Sequence, residues 1–440
     1  MVLKVGFSKV DITPPVDSGL SIPILGFWWE RAKAYQDIHD PLYARVAYFQ
    51  NDDQFIVVSM DSIGDGIGFT DSIRQLTSKR MGIPREKIMI SCTHTHTAPE
   101  TYDLCWHPVD KKWLEEMTKR VAAAIEGAHR KMECATVHCE TALTEGLVKN
   151  RRADYVRKKV TELMPDELAR SIDLDERLYV MAFLGSDRLP IGLLVNFACH
   201  PVIMQTAPTI SADYTGFVAE EVEKRIDAPA LYLNGPCGDV NPACGDTRNY
   251  GDVVALGTRL SSHIQGIVES IRTKPSDKES NHLLARQTAI GVQRRDLPQK
   301  EILLGEKERY EREVKARSVV PPAYEDALGA ALFSVREALT LYEKPEHYEA
   351  EVQVFSLGPY AIVGIPGEFF TCLGRDIRKE SKNTILIATL ANRMLGYIAP
   401  HEAFTVGGYE TESLARWSRL APGSGETIRN AAIQMLRSCL

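Results

Sequence analysis

Short apolar runs alternate with amphipathic runs along the first half of this chain, and that alternation limits the folds it can adopt. Runs rich in β-branched and aromatic residues, such as 44–49 and 55–60, are followed by a segment of helical periodicity at 69–81. This pattern predicts an α/β fold in which a mixed or parallel sheet is covered by helices. The predicted strands are 44–49, 55–60, 87–91, 191–198 and 231–233, and the predicted helices are 69–81, 111–130 and 216–225.

The second half of the chain predicts a helical segment placed within the sheet pattern. Between residues 275 and 345, two helical runs are expected to form an insertion or cap. Strand patterns return at 351–355 and 361–364, and a last helix is predicted over 426–437. We therefore expect one large catalytic domain over residues 1–440, rather than the two or three domains that this length also allows. No internal repeat is evident in the sequence.

Composition and charge exclude several classes of function. With 44% hydrophobic residues, 25% charged residues and a net charge of −7, the chain is typical of a globular protein. It has no basic stripe that would follow a phosphate backbone, so we expect no nucleic-acid partner. No run approaches the ~20 apolar residues that span a bilayer, and the N-terminus lacks a secretory signal pattern, which predicts a cytoplasmic protein without a membrane span. Nine cysteines without a CxxC pair predict free thiols.

The strongest local signal is the pair His94 and His96 in residues 91–100, directly after a predicted strand. In extended backbone the side chains at i and i+2 share a face, so both imidazoles can point into one pocket. One would bind a metal ion and the other would move protons, although two ordinary hydrogen-bonded histidines give the same pattern. His200 follows an apolar run that Pro201 stops, which places a third histidine where ligands gather in open α/β sheets.

Two further segments and an aromatic pair carry candidate site residues. Glu368 is either the anionic ligand that neutral imidazoles need for tight zinc binding or a carboxylate favoured at a helix start. The glycine-rich loop 234–242 either approaches a ligand, with Asp239 orienting a histidine, or forms a tight structural turn. Trp28 and Trp29 either line the substrate pocket or belong to the core. The weaker candidates for substrate contact are His39, His107 and His401.

Taken together, these segments resemble the catalytic domain of neutral, non-lysosomal ceramidases, in the same order along the chain. As a set they are specific for that family. The segments that carry the resemblance are residues 6–14, 40–45, 93–96, 150–151, 196–201, 211–216, 238–242, 366–369 and 396–397, together with Asp61 and Tyr409.

The resemblance implies a set of zinc ligands and a set of catalytic residues. The implied ligands are His94, His200, Glu368 and Tyr397. The implied catalytic residues are His96 for proton transfer, with Arg151 and Tyr409 facing the acyl oxygen. On this hypothesis a metal-activated water attacks an amide carbonyl, His96 takes its proton, and Arg151 and Tyr409 stabilise the oxyanion.

Two departures from the family pattern bear on the substrate. The family loop has the sequence Gly-Asp-Xaa-Ser-Pro with its serine in the active site, whereas this chain has Asn241 at that position, so we expect no serine nucleophile. The sequence also ends where the family's catalytic domain ends, so no C-terminal immunoglobulin-like domain is expected. We therefore expect a zinc-dependent amidase that acts on a small-molecule N-acyl substrate, ceramidase-like but not a true ceramidase. A homo-oligomer is expected on general grounds.

Two other functions stay open at this point. A zinc esterase or lactonase acting on a small polar substrate would use the same metal and oxyanion groups on a better leaving group. A catalytically silent binding protein would keep the fold without the reaction. Intact residues at all four ligand positions favour an active enzyme.

Overall fold

The structure is a computed structural model, which describes residues 2–15, 35, 37–101, 109–160, 165–205, 207–274, 282–316, 322–412 and 417–439. Trp28, Trp29 and His107 lie outside these residues. In the described part of the chain, no helix combines the length and the apolar character needed to cross a membrane.

Three consecutive segments of the chain, named units 1, 2 and 3, each build one main sheet. The elements of unit 1 are β1 Lys4–Asp11, β2 Asp37–Ile38, β3 Tyr43–Gln50, β4 Gln54–Met60, α1 Phe69–Met81, β5 Ile88–Cys92, α2 Lys111–Arg130 and β6 Glu133–Cys134. Those of unit 2 are β7 Thr136–Leu143, β8 Val148–Asn150, α3 Ala153–Lys159, α4 Asp166–Arg170, β9 Arg177–Leu184, β10 Pro190–Phe197, β11 Thr209–Ile210, α5 Asp213–Ile226, β12 Ala230–Asn234, β13 Val240–Pro242 and α6 Tyr250–Thr273. Those of unit 3 are β14 Leu283–Gln293, α7 Lys300–Lys315, α8 Pro322–Leu341, β15 His347–Leu357, β16 Tyr360–Gly364, β17 Glu368–Phe369, α9 Thr371–Lys379, β18 Thr384–Ala388, β19 Tyr397–Ile398, α10 His401–Val406 and α11 Ser424–Cys439.

The three main sheets share one topology. The strand orders are β5-β4-β3-β1-β6 in unit 1, β12-β10-β9-β7 in unit 2 and β14-β15-β16-β18 in unit 3. In each sheet three strands pair antiparallel, and a crossover helix then leads to a fourth strand that pairs parallel. The crossover helices are α1, α5 and α9, and a further helix, α2, α6 or α11, follows the parallel strand. The fold therefore repeats three times although the sequence shows no repeat.

The inner faces of the three sheets pack into one shared core. Phe49 and Phe55 of unit 1 lie 4.8 Å apart, measured between ring centroids. Phe49 lies 5.1 Å from Phe183 of unit 2, and Phe55 lies 4.7 Å from Phe355 of unit 3. All four side chains are buried, and each contributes roughly 1.5–3 kcal/mol through the apolar surface it removes from water. This cluster holds the three units in a fixed relation to one another.

Helix α2 illustrates how local sequence fits this arrangement. Asp110 caps the helix, since its carboxylate accepts a hydrogen bond from the backbone N–H of Trp113 at 3.0 Å. Its buried side chains recur at helical spacing and form the face that packs on β1 and β3. They are Trp113, Leu114, Met117, Val121, Ala122, Ala124, Ile125 and Ala128.

Most predicted elements are confirmed, but part of the predicted helical segment is wrong. The helices over 69–81 and 111–130 have their predicted bounds, and the five strands predicted in the first half agree to within one residue. Within the segment 275–345, however, Leu283–Gln293 is strand β14, which pairs with β15 along its whole length. Because β14 is an edge strand with many exposed side chains, no apolar run marks it in the sequence. Helices α7 and α8 are thus a hairpin between two neighbouring strands.

The prediction of free thiols is confirmed for the cysteines that the structure describes. Four of them are buried and two are exposed. The buried ones are Cys92, Cys199, Cys237 and Cys372, and the exposed ones are Cys134 and Cys244.

The loops after the parallel strands of all three units meet at one place. The side-chain amide of Asn234, at the end of β12, donates to the carbonyl of Thr93 after β5 at 3.0 Å. The carbonyl of Asn234 accepts the backbone N–H of Thr389, after β18, at 2.9 Å. Because ligands bind outside the carboxyl ends of strands in α/β sheets, this meeting point is where the fold positions a site.

Candidate active site

His94 lies just beyond β5 and has an unusual backbone conformation. Its φ angle is 76°, in the left-handed region that disfavours side chains other than glycine, and its backbone N–H donates to the carbonyl of Ser62 at 2.9 Å. Its Nδ1 lies 2.5 Å from the carbonyl oxygen of Ile63. A carbonyl only accepts, so Nδ1 carries the hydrogen and Nε2 presents a lone pair. This buried Nε2 has no hydrogen-bond partner among the described residues.

His200 follows β10 and presents its ring in the same way. Its Nδ1 lies 2.5 Å from the carbonyl of Cys237 and 3.2 Å from that of Val240, so Nδ1 is again the donor. Its Nε2 lies 3.0 Å from Oε2 of Glu368, and Nε2 of His94 lies 3.4 Å from the same oxygen. The lone pairs of two imidazoles therefore converge on one carboxylate oxygen. Acceptors this close repel one another unless a proton or a cation lies between them.

Glu368 is a strand residue, and the interpretation as a helix-start charge is wrong. It begins β17, its backbone N–H donates to the carbonyl of Gly396 at 2.9 Å, and helix α9 begins only at Thr371. Its carboxylate is directed to His94 and His200. Burial would raise the pKa of Glu368, but the positive charge that His94 or His200 carries when a proton is shared in the cluster outweighs burial and holds that pKa well below its ordinary range. The carboxylate is therefore ionised.

His96 faces the same cluster and is only partly buried. Its ring stands edge-on to that of His94, with centroids 4.9 Å apart, and lies 6.0 Å from the ring of His200. Potential ligand atoms of the three histidines all lie within 4.8 Å of one another. Among the described residues, Glu368 has ion-pair contacts with His94 and His200 but none with His96. Burial, aided by the neighbouring histidines, lowers the pKa of His96 well below its ordinary value.

The distances and protonation states of this cluster suit a tetrahedral metal ion. Ligand atoms that lie about 2.0 to 2.1 Å from a tetrahedral zinc are about 3.3 Å from one another. The separations of 3.0 and 3.4 Å between Glu368 and the two imidazoles are close to that value. Burial lowers the pKa of His200 to about 4, so the ring is neutral, as a metal ligand must be. The buried group can therefore hold a metal ion.

Arg151 and Tyr397 lie beside this cluster and contact each other. Tyr397 is the partner of Glu368 in the parallel ladder of β17 and β19, so their side chains share a face. Arg151 donates from Nη2 to the Tyr397 hydroxyl at 2.9 Å and to the carbonyl of Gly238 at 2.7 Å. Burial would lower the pKa of Arg151, but Tyr397 and Glu410 raise it well above its ordinary value. Arg151 therefore remains a cation inside the site.

Tyr409 carries a second hydroxyl at the boundary with solvent. Its ring packs edge-on against Tyr397 with centroids 5.9 Å apart, and the guanidinium of Arg151 lies 5.9 Å from its centroid. The side chain of Tyr409 is 41% exposed, whereas that of Tyr397 is 6% exposed. Gly407 and Gly408, directly before it, have φ angles of 79° and 106°, which turn the chain at this point.

Comparison with known proteins places the chain in a family. The sequence profile of the N-terminal domain of neutral/alkaline non-lysosomal ceramidases matches residues 3–253, more than half of the chain. The chain belongs to this ceramidase family. A 71-residue segment is 41% identical to neutral ceramidase A of Dictyostelium discoideum and covers 14% of this chain and 10% of that protein. The match with this curated ceramidase thus spans about a tenth of its length.

Two solved ceramidase structures have the same fold. The neutral ceramidase of Pseudomonas aeruginosa is similar with a TM-score of 0.77 at 17% identity, over 100% of this chain and 75% of that one. A ceramidase complexed with C2 is similar with a TM-score of 0.74 at 15% identity, over 100% of this chain and 76% of that one. The predicted fold of mixed sheets flanked by helices is therefore confirmed as a ceramidase fold.

In this ceramidase-family chain, Asp239 fastens the glycine-rich loop and does not orient His94 or His200. Its carboxylate accepts hydrogen bonds from Asn150 Nδ2 at 2.7 Å and from the backbone N–H and hydroxyl of Thr371, both at 2.9 Å. Backbone carbonyls orient the two histidines instead. The hypothesis that Asp239 orients them is wrong, because its oxygens join the loop to β8 and α9. Burial raises the pKa of Asp239 to about 6.

Asn241, which stands where the ceramidase pattern has serine, borders Arg151. It lies in β13 opposite Lys149 of β8, and its Oδ1 is 3.4 Å from Nη1 of Arg151. This contact is longer than those that Arg151 makes through Nη2 and Nε. Asn241 is therefore a neighbour of the Arg151 guanidinium and, in the contacts that the structure describes, does not reach the histidine cluster.

Sequence reasoning missed Glu410 and Arg152. Glu410 is buried and accepts hydrogen bonds from Arg151 Nε and Arg152 Nη1. The sequence offered one indication of them: Arg152 directly follows Arg151, and Glu410 directly follows Tyr409. A single acidic residue in a loop is otherwise indistinguishable from a solvated charge.

The weaker histidine candidates have other contacts. The ring of His39 stacks on that of Tyr250 with centroids 3.8 Å apart, and its Nδ1 lies 3.0 Å from the carboxylate of Asp40. His401 is the exposed first residue of α10. Within the described contacts, neither side chain reaches the histidine cluster.

Proposed function

We propose that this protein is a metal-dependent hydrolase that cleaves the amide bond of an N-acyl compound. The observation that carries the proposal is the convergence of two neutral imidazole nitrogens on one ionised, buried carboxylate, beside a partly buried arginine. Membership of the ceramidase family supports the amide bond as the target. The same convergence supports a bound cation, because burying these groups without a ligand to satisfy them would destabilise the fold. The intact set of four candidate ligand positions favours an active enzyme over a catalytically silent binding protein.

The proposed metal is zinc, and its four proposed ligands come from all three units. Unit 1 provides His94, unit 2 provides His200, and unit 3 provides Glu368 and Tyr397. Two neutral nitrogens and one carboxylate match the donors that catalytic zinc prefers, and Tyr397 shares a strand face with Glu368. When bound, zinc supplies a Lewis acid that polarises a carbonyl and lowers the pKa of water from 15.7 to about 7.

His96 is the proposed proton-transfer residue. Its buried Nε2 has no hydrogen-bond partner among the described residues, its ring faces His94, and its low pKa keeps it unprotonated at neutral pH. In the reaction His96 takes a proton from the attacking water and returns it to the leaving amine. Partial exposure of the ring is compatible with contact to a substrate.

Arg151 and Tyr409 are the proposed partners of the acyl oxygen. Arg151 is a partly buried cation beside Tyr397, and Tyr409 presents its ring at the solvent boundary of the same group. A fixed cation and a hydroxyl are suited to stabilise the negative charge that develops on a carbonyl oxygen during attack.

The presence of asparagine at position 241, where the family pattern has serine, supports a substrate other than a true ceramide and a mechanism without a serine nucleophile. A cytoplasmic location and a homo-oligomeric state stay predictions from the sequence.

The test combines metal analysis with a panel of substrates. The purified protein is assayed for metal by elemental analysis, and for hydrolysis of matched N-acyl amides and esters, including a ceramide, with and without chelator. About one zinc per chain with chelator-sensitive amide cleavage supports the proposal. Preference for the ester of each matched pair would favour the esterase or lactonase alternative. A protein that neither contains metal nor gains activity with added zinc would refute the proposal. The His94→Ala variant serves as the matched control for adventitious metal.

A further inference from the structure

We propose that Glu410 is a positioning residue, which fixes the guanidinium of Arg151 and thereby holds the Tyr397 hydroxyl in place at the metal site. The inference rests on the proposed hydrolase function and assigns a role in it to a buried carboxylate outside the ligand set. A series of short contacts runs from Glu410 through Arg151 to Tyr397.

The first link is a bridge between two arginines. Glu410 is 3% exposed, and its Oε1 accepts a hydrogen bond from Arg151 Nε at 2.7 Å. Its Oε2 accepts one from Arg152 Nη1 at 2.5 Å. One buried carboxylate thus lies between two neighbouring guanidiniums and reduces their mutual repulsion, which is strong in a medium of low dielectric constant.

The second link anchors Glu410 itself. Arg152 is buried, and its Nη2 donates to the carbonyl of Gly407 at 2.7 Å and to that of Ala403 at 3.3 Å. Its guanidinium also lies 5.6 Å from the ring centroid of Phe370. Because Arg152 is held by backbone oxygens of α10 and of Gly407 directly after it, the carboxylate of Glu410 has a fixed position from which to hold Arg151.

The third link is the hydrogen bond from Arg151 to Tyr397, through which the position of the Tyr397 hydroxyl depends on that of Glu410. A guanidinium is planar, so fixing Nε and Nη2 sets the orientation of the whole group. In Arg151, Nε is fixed by Glu410, and Nη2 is shared between the carbonyl of Gly238 and the hydroxyl of Tyr397. Without the carboxylate, Arg151 can rotate about its side-chain bonds, and the hydrogen bond to Tyr397 loses its direction.

The same contact also sets the loop that carries Tyr409. Glu410 follows Tyr409 in the chain, and the glycines at 407 and 408 give the loop conformational freedom before it. Attachment of Glu410 to Arg151 and Arg152 removes that freedom. The two groups proposed to face the acyl oxygen therefore share one point of attachment.

The test replaces the carboxylate by an amide of the same shape. Glu410→Gln is compared with wild type and with Glu380→Gln, which removes a carboxylate from the exposed ion pair with Arg437. We expect Glu410→Gln to keep about one metal ion per chain and nearly the wild-type KM, while kcat falls about 10- to 100-fold, as is typical when a partner of a metal ligand is removed. Glu380→Gln is expected to match wild type in all three.

A spectroscopic readout follows Tyr397 directly. In the copper(II)-loaded protein, a tyrosinate ligand gives a visible charge-transfer absorption that depends on the geometry of the phenol oxygen. We expect this band in wild type and in Glu380→Gln, and a weakened or shifted band in Glu410→Gln. Tyr397→Phe identifies the band, because it removes the phenol oxygen.

Rescue separates positioning from folding. Glu410→Ala leaves room between the two arginines for a small carboxylate, so added formate is expected to restore the copper band and several-fold of the lost kcat. Thermal stabilisation by formate without recovery of band or kcat would reduce Glu410 to a structural role and overturn the inference. The inference is also overturned if the copper spectrum of Glu410→Gln equals that of the wild-type protein, or if the copper-loaded wild-type protein lacks the charge-transfer band.

These outcomes are distinct from failure of the proposed function. A wild-type protein that binds metal but cleaves neither amide nor ester refutes the hydrolase. The copper spectra of Glu410→Gln and of Glu410→Ala with formate then still decide whether Glu410 positions Arg151 and Tyr397.

Discussion

Glu368 and Tyr397 are direct partners in the parallel ladder of β17 and β19, and their side chains therefore share one face. From that face Glu368 reaches the imidazoles of His94 and His200, and Tyr397 reaches the guanidinium of Arg151. A strand pair of two residues on each side thus connects the candidate metal ligands to the guanidinium of Arg151.

His94 and His96 are expected to respond differently to removal. His94→Ala should lose the bound metal, because its Nε2 lies 3.4 Å from the carboxylate of Glu368 in the ligand cluster. His96→Ala should keep the metal and lose about 100- to 10,000-fold in kcat, the usual contribution of a general acid–base residue. Elemental analysis and steady-state kinetics of both variants check this, and equal metal loss would make His96 a ligand.

Tyr409→Phe isolates one hydroxyl at the solvent boundary. Loss of one donor to an oxyanion typically lowers kcat by about 100- to 1000-fold. Because Tyr409 is 41% exposed, the variant should retain its stability and its metal. Kinetics with a matched amide series give the result, and a change in KM alone would limit Tyr409 to substrate binding.

Asn241→Ser restores the residue of the ceramidase pattern and tests the proposed mechanism. Since Asn241 makes only a 3.4 Å contact with Arg151, we expect kcat to change by less than about 10-fold, which corresponds to less than about 1.4 kcal/mol in the barrier. Asn241→Ala is the control. A much larger rate in the serine variant than in the alanine variant would show that a serine nucleophile suits this site.

Gly238→Ala tests how closely the glycine-rich loop packs on β17. A Cβ at this position would lie 2.5 Å from the backbone oxygen of Glu368, so backbone must shift. We expect a loss of about 1–3 kcal/mol in the free energy of unfolding together with weaker metal binding. Gly266→Ala in α6 is the matched control, since no described atom outside its own stretch of helix lies within 4 Å of its added Cβ. Denaturant titration and metal content decide the outcome, and equal stability of the two variants would contradict the predicted close packing.

Asp213 should give the protein a measurable pH dependence of stability. Burial raises the pKa of this carboxyl from 3.8 to about 7 in the folded state. The folded protein therefore keeps a proton that the unfolded chain has released, so the free energy of unfolding falls as pH rises from about 4 to about 7. In Asp213→Asn that slope should be smaller, by a difference on the order of a few kcal/mol over the interval. Denaturant titrations across this pH range measure both slopes, and parallel curves would show that Asp213 titrates normally.

The sequence alone determined most of the local structure and part of the site. Helix bounds such as 69–81 and 111–130 follow from a 3.6-residue apolar period, which depends only on residues one or two turns apart. The positions of His94, His96 and His200 after apolar strands could be predicted for the same reason. The identities of the candidate ligands needed the further information of a family pattern.

Only the tertiary structure decided the features that depend on contacts between distant segments of the chain. Strand β14 has no apolar run that would reveal it in the sequence, and it is recognised only by its pairing with β15. The threefold topology likewise becomes visible only when the strand orders of the three sheets are compared. From the sequence, Glu368 could be a charge at a helix start; its backbone pairing with Tyr397 shows that it is a strand residue. Glu410 and Arg151 lie far apart in sequence, so their partly buried contact depends on folding of the intervening chain. Sequence periodicity specifies which residues face the interior, whereas the partners of a buried charge are chosen only by the packing of distant segments.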